Sequence, residues 1–180
     1  MEQRAGLDAS RVEALSDGVF AIVLTLLVFE LKVPQVGPEA GSAELLAGLR
    51  ALLPQVMGYL LSFFALANFW IGHRGQFHYV RRTDRALLWI NFLFFLFLTA
   101  VPFVTAFLAE YPGQPLPVVV YGVDLGLAAL TLYAHWRYAT RDARLLDAPI
   151  SPALMRQQGR RILVGPIIYL VGIACAFVNP

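Results

Sequence analysis

The chain has 180 residues, 58% of them hydrophobic and 14% charged. Soluble domains run nearer roughly 45–50% apolar and about 25% charged, so the composition excludes a water-soluble globular protein and points to a polytopic membrane protein with no sizeable soluble domain. A net charge of only +2 and a lone Cys175 exclude nucleic-acid binding as the source of the basic balance, an internal disulfide and a thiolate metal cluster.

In chain order, a polar leader, Met1 to Ser10, carries no signal-peptide pattern. Span 1 is predicted over residues 12–33, ending before Pro34. A loop follows from Gln35 to Arg50, in which Ser42 is placed to cap a helix leading into span 2, over residues 51–72. Pro54 falls in the first turn of that span, where a missing N–H is tolerated. The segment His73 to Arg85 is basic, with Arg74, Arg81, Arg82 and Arg85. Span 3, over 86–108, is rich in Phe and Leu and holds Pro102, which predicts a kink. A Pro- and Gly-rich turn, Glu110 to Pro117, precedes span 4, over 118–138. A second basic segment, Ala139 to Arg161, carries Arg141, Arg144, Arg156, Arg160 and Arg161. Within it, Ser151-Pro152 reads as an N-cap followed by proline at the first helical position, so the last helix begins ahead of span 5, over 162–178. The expectation is a single all-α transmembrane domain over residues 1–180, a helix bundle with five spans.

Arginine and lysine placement sets the orientation. The leader with Arg11 and the two basic segments hold nearly all the positive charge, and the other face holds essentially Lys32 and Arg50. Positive charge marks the cytoplasmic side, so the N-terminus is predicted cytoplasmic and five spans put Pro180 outside.

Taken as a helix at about 100° per residue, span 1 places Ile22, Leu26 and Phe29 on one stripe with Thr25 at its edge. Asp17 falls about 140° away from Ile22. Two readings fit the stripe: a helix-packing seam, or, if several copies surround an axis, stacked apolar rings that gate by excluding water. Two readings also fit Arg11, Ser16 and Asp17: a polar cluster at the interface, or a buried network that fixes helix 1. Trp70 reads as an interfacial anchor, while Asn68 and His73 are placed to bond across to helix 1. Asn91 and Thr99 read as interhelical glue, and Gly122 and Gly126 as a small-residue pair permitting close approach. Asp124 is a cation or proton site, or a residue near the outer boundary. A metal or haem site from His73, His78 and His135 matches no ligand spacing. No phosphate-binding loop and no Ser/His/Asp set is present, so no enzyme activity is expected.

The run Arg11-x-x-x-Leu15-Ser16-Asp17-Gly18-x-x-Ala21-Ile22 resembles the signature that opens the transmembrane protein 175 family, bacterial relatives of an endosomal and lysosomal potassium channel. Leu15 stands where the family usually has Phe. Phe69-Trp70-x-x-His73-x-x-x-Phe77 resembles the second motif of that family, and Asn91 with Pro102-Phe103-x-Thr105 its third. The resemblance runs in order and spacing from Arg11 to Leu108. It implies a passive cation channel, potassium-selective or weakly so, in which four subunits each place helix 1 on a central axis. The implied filter is Ile22, Leu26 and Phe29 with Thr25 as a polar layer; Phe29 stands where Leu is more usual. The implied polar network, Arg11, Ser16 and Asp17 with Trp70 and His73, holds helix 1 in register. A homotetramer in a bacterial inner membrane follows, with no cofactor beyond permeant K⁺. Family subunits have six spans with both termini cytoplasmic; five are legible here, and a sixth would return the C-terminus inside. Two other functions use the same residues: a proton-coupled secondary transporter relaying through Asp17, Asp124 and His73, and a non-transporting membrane scaffold.

Overall fold

The computed structural model describes residues 7–141, 145–147 and 150–178; the leader before Leu7, Arg144 and the terminal Asn179 and Pro180 lie outside them. The helices start where the chain supplies a partner for their first N–H groups. Helix α1, Ala9–Leu26, is capped by Asp8, whose carboxylate accepts the Ser10 N–H at 3.1 Å. That bond holds the Asp8 pKa below the usual carboxylate value. The cap explains why α1 begins ahead of the expected Val12. At its other end α1 tightens into a 3₁₀ turn, Leu27–Glu30, and the backbone is extended at Leu31. The helix thus stops short of the expected Val33, in keeping with the steric bias of a residue before proline towards extended backbone.

The second span differs from expectation. Helix α2, Ser42–Ala51, is short and has no buried residue, and the membrane-length helix α3, Leu53–Phe77, follows a break at Leu52. Gly41 holds the cap position of α2, with Glu44 reaching back to its N–H at 3.0 Å, so Ser42 is the first helical residue and not the cap. Pro54 sits in the first turn of α3, as its missing N–H allows. This helix continues past Gly72 because His73, Gln76 and Phe77 are buried by other helices.

Helix α4, Arg85–Glu110, is capped by Asp84, which accepts the Leu87 N–H at 2.9 Å, and runs through Pro102. Gly113 makes the turn to helix α5, Pro115–Thr140, with φ +82°, a conformation that glycine adopts without strain. Ser151 caps helix α6, Pro152–Val178, as read from the sequence, accepting the Leu154 N–H at 3.2 Å. Five helical segments are long and apolar enough to cross a membrane.

Phe20 and Val23 of α1 and Leu27 of the 3₁₀ turn meet Leu66 of α3, Leu98 and Val101 of α4, and Leu125 and Ala128 of α5 in one core. Helix α6 packs along α5 at the outside. A Cβ on Gly122 would come within 2.8 Å of the Ile173 side chain, so α5 and α6 approach closely there. At Gly126 the same atom meets nothing within 4 Å, so only the first member of the expected glycine pair serves close approach.

One short antiparallel pairing was not expected from the sequence. Strand β1, Leu7–Asp8, pairs with β2, Arg82–Thr83, and Val80 bridges Leu146. Tyr138 Oη donates to Asp84 Oδ2 at 2.7 Å, and Arg81 pairs with Asp147 at 3.3 Å on the surface. The start of α1, the α3–α4 loop and the α5–α6 connection therefore meet in one layer at one end of the bundle.

Candidate functional site

Helix α1 has two unlike faces. Val12, Ser16, Phe20 and Val23 are buried against α3 and α4. The opposite face carries Arg11, Leu15, Gly18, Ile22, Thr25, Leu26 and Phe29, all exposed. Ile22 is 60% exposed, Leu26 43% and Phe29 73%. Hence the stripe is not a seam between helices of this chain: among the described residues nothing covers it. The Thr25 hydroxyl donates back to the carbonyls of Ile22 (2.8 Å) and Ala21 (3.0 Å). Its single proton is taken, so the Thr25 oxygen keeps only acceptor capacity towards the open side.

The buried face is held by polar side chains in a directed order. His73 Nε2 bonds Asn91 Oδ1 at 2.8 Å. The Asn91 Nδ2 donates to Ser16 Oγ at 3.4 Å, and Ser16 donates to the Val12 carbonyl at 2.7 Å. With the amide of Asn91 facing that way, His73 carries its proton on Nε2. The chain of bonds crosses from α3 through α4 to α1. Asn68 takes no part and is exposed, and His73 reaches α1 only through Asn91. One helical step away, Trp70 Nε1 donates to Asp17 Oδ1 at 2.8 Å. Trp70 is half-buried, with the Arg74 guanidinium over its ring at 5.6 Å, so it is a bonding partner of α1 and not simply a lipid-interface anchor.

Arg11 departs from the expected network. It lies about 20° from Ile22 around the helix, on the exposed face, and makes no hydrogen bond or ion pair with a described residue. Ser16, Asp17, Trp70 and His73 are in bonds that fix α1, whereas Arg11 shares the face of the apolar stripe. Asn91 is the centre of this network. Its polarity inside an apolar run marks it in the sequence, but its two partners lie on other helices.

Deeper in the bundle, His135 Nδ1 bonds Gln76 Oε1 at 2.7 Å while Gln76 Nε2 donates to the Leu132 carbonyl at 3.0 Å. The His73 and His135 rings are 5.7 Å apart. His78 is exposed and lies edge-on to Tyr79, so the three histidines do not converge, and no group of three ligating side chains occurs among the described residues. Asp124 is 9% exposed, and its Oδ2 has no hydrogen-bond partner among the described residues, so it is a buried residue of α5.

The profile of the family described as the endosomal/lysosomal potassium channel TMEM175 matches residues 11–102. A potassium channel of Streptomyces collinus is 36% identical over 176 residues, 96% of this chain and 84% of that relative. A potassium channel of Chamaesiphon minutus is 36% identical over 175 residues, 96% of this chain and 86% of the relative. The crystal structure of a lysosomal potassium-selective TMEM175 homologue from Chamaesiphon minutus superimposes with a TM-score of 0.81 at 34% identity, over 95% of this chain and 87% of that one.

Proposed function

This chain belongs to the TMEM175 family, and from that premise we propose that it is a passive potassium channel in which several copies of α1 surround a common axis. One helix cannot enclose a pore, so conduction requires assembly. We assign a homotetramer, as the sequence resemblance implies, with Ile22, Leu26 and Phe29 as stacked apolar layers and Thr25 between them. Such layers admit an ion only when they are wide enough to wet, and therefore act as filter and gate together. The acceptor-only oxygen of Thr25 suits a cation and offers nothing to an anion.

The observation that carries this reading is the pairing of faces on α1. A bare apolar stripe backs onto Ser16 and Asp17, each tied by a hydrogen bond to another helix. Those bonds fix the rotation of α1, which a pore-lining helix needs and a lipid-facing helix does not. The transporter alternative is weaker, since Asp17 and His73 bond Trp70 and Asn91 and neither is bonded to Asp124. Meeting of the three arginine-bearing segments at one end supports a cytoplasmic N-terminus in a bacterial inner membrane. No cofactor is assigned. The test is K⁺ flux from K⁺-loaded liposomes containing the purified chain. Efflux without valinomycin, not saturating and indifferent to a proton gradient, is expected; absence of flux, or strict proton coupling, overturns the assignment.

A further inference from the structure

Helix α6 is divided by charge. Arg156, Arg160 and Arg161 stand in its first turns, and no charged residue follows Arg161. The helix has no Asp or Glu, and none of these arginines pairs with a carboxylate of a described residue. Arg137 of α5 lines a hollow together with Arg156 and Arg160, which adds to the same positive patch. Beside the patch a cleft of about 370 Å³ opens between α3, α5 and α6. Arg161 and Gln158 stand at one end of its lining, and Ile71, Leu132 and Ile162 form an apolar wall. Gly75 gives the cleft room, since a Cβ there would meet nothing within 4 Å. Tyr169 bounds the far end, roughly 12 Å along the helix from Arg161. The cleft is charged at one end, and along its length Asn68 and Gln76 of α3 interrupt an otherwise apolar lining.

We propose that this cleft binds an anionic phospholipid, with the phosphate against Arg161 and the neighbouring arginines and an acyl chain along the α3–α6 wall. The charge selects the occupant. Three guanidinium groups with no carboxylate partner among the described residues, at the end of an apolar span, match a phosphate, to which arginine donates in a fork. Basic hollows between spans on the positive side of a membrane protein are suited to anionic headgroups. A soluble anion would satisfy the arginines and leave the apolar wall bare. The site lies away from the exposed face of α1 and does not rest on the conduction reading.

The test uses the purified full chain in mild detergent, incubated with dioleoylphosphatidylglycerol or dioleoylphosphatidylcholine, with retained lipid counted by native mass spectrometry. Phosphatidylglycerol is expected to be retained at least about fivefold better, and Arg161→Gln is expected to remove about fivefold of that preference. Gly75→Leu keeps every arginine but fills the cleft, and is expected to lose the retained lipid as well. Equal retention of the two lipids by the wild-type chain overturns the proposal. So does unchanged phosphatidylglycerol retention in a Gly75→Leu variant with wild-type elution volume and melting temperature, which would leave only a non-specific surface charge. Displacement of the bound lipid by millimolar inorganic phosphate also overturns it, in favour of a soluble-anion site.

Discussion

Helices α1 and α6 both turn apolar side chains outward. Ile22 of α1 is 60% exposed and Ile167 of α6 61%. What differs is the side that faces the bundle. Helix α1 is joined to its neighbours by side-chain bonds from Ser16 to Asn91 and from Asp17 to Trp70. Helix α6 is held on α5 by close approach at Gly122 and by the Trp136 Nε1 bond to the Met155 carbonyl at 3.1 Å, with no side-chain pair of the α1 kind among the described residues. Exposed apolar area in a membrane protein therefore says little by itself. A bare face becomes informative when polar bonds behind it fix which residues it presents.

The sharpest way to break the comparison is to place the same polar group on both bare faces. Ile22→Asn is expected to change the K⁺ over Na⁺ permeability ratio on the order of tenfold, whereas Ile167→Asn leaves the ratio unchanged. Liposome flux or bilayer reversal potentials measure both. Equal effects would erase the distinction between the helices. Next in size is the α5–α6 contact. Gly122→Leu drives a side chain into Ile173 and is expected to cost about 1–3 kcal/mol, read as a lower melting temperature with selectivity intact. Gly126→Leu, in open space, is the matched control.

Asn91→Ala separates the α1 side in the other direction. It strips partners from His73 and Ser16 at once and is expected to cost roughly 1–2 kcal/mol. In contrast to Gly122→Leu, it should also alter conductance, since α1 loses its rotational stop. A drop in stability with unchanged flux would make Asn91 purely structural. The smallest expected effect is that of Trp70→Phe, which removes one hydrogen bond worth about 1 kcal/mol and keeps most of the ring. A change of a few-fold in flux with the permeability ratio unaltered is expected, compared in the same vesicles with the wild-type chain.

The sequence already carried the number of spans, the Ser151 cap, the proline in the first turn of α3 and the phase that turns Asp17 away from Ile22. These are local properties: hydropathy over one helix, a capping side chain, a 3.6-residue period. What it did not carry are pairings between distant residues. Asn91 bridges Ser16 and His73 across 75 and 18 positions, and nothing in the neighbourhood of any one of them names the others. The same holds for Gln76 and His135, and for the β1–β2 pairing. Arg11 sits in the opening motif beside Ser16 and Asp17 in sequence, yet the same helical period puts it in line with Ile22, and within one chain it is exposed. The conduction reading itself rests on the motifs and the relatives; phase and exposure alone describe a helix with one open face.

The 3₁₀ turn at the end of α1 changes the spacing of its open face. From Ile22 to Leu26 the α-helix advances four residues, roughly 6 Å. From Leu26 to Phe29 the tighter turn advances three residues at about 2.0 Å each, again roughly 6 Å, and brings the third side chain directly over the second. A continued α-helix would have set Phe29 about 4.5 Å beyond Leu26 and about 60° around from it, nearer in phase to Ile22. In the proposed assembly a permeating ion then meets hurdles of equal pitch, aligned like rungs, and lengthening or relaxing that single turn would change the rhythm of the ladder without altering one of its side chains.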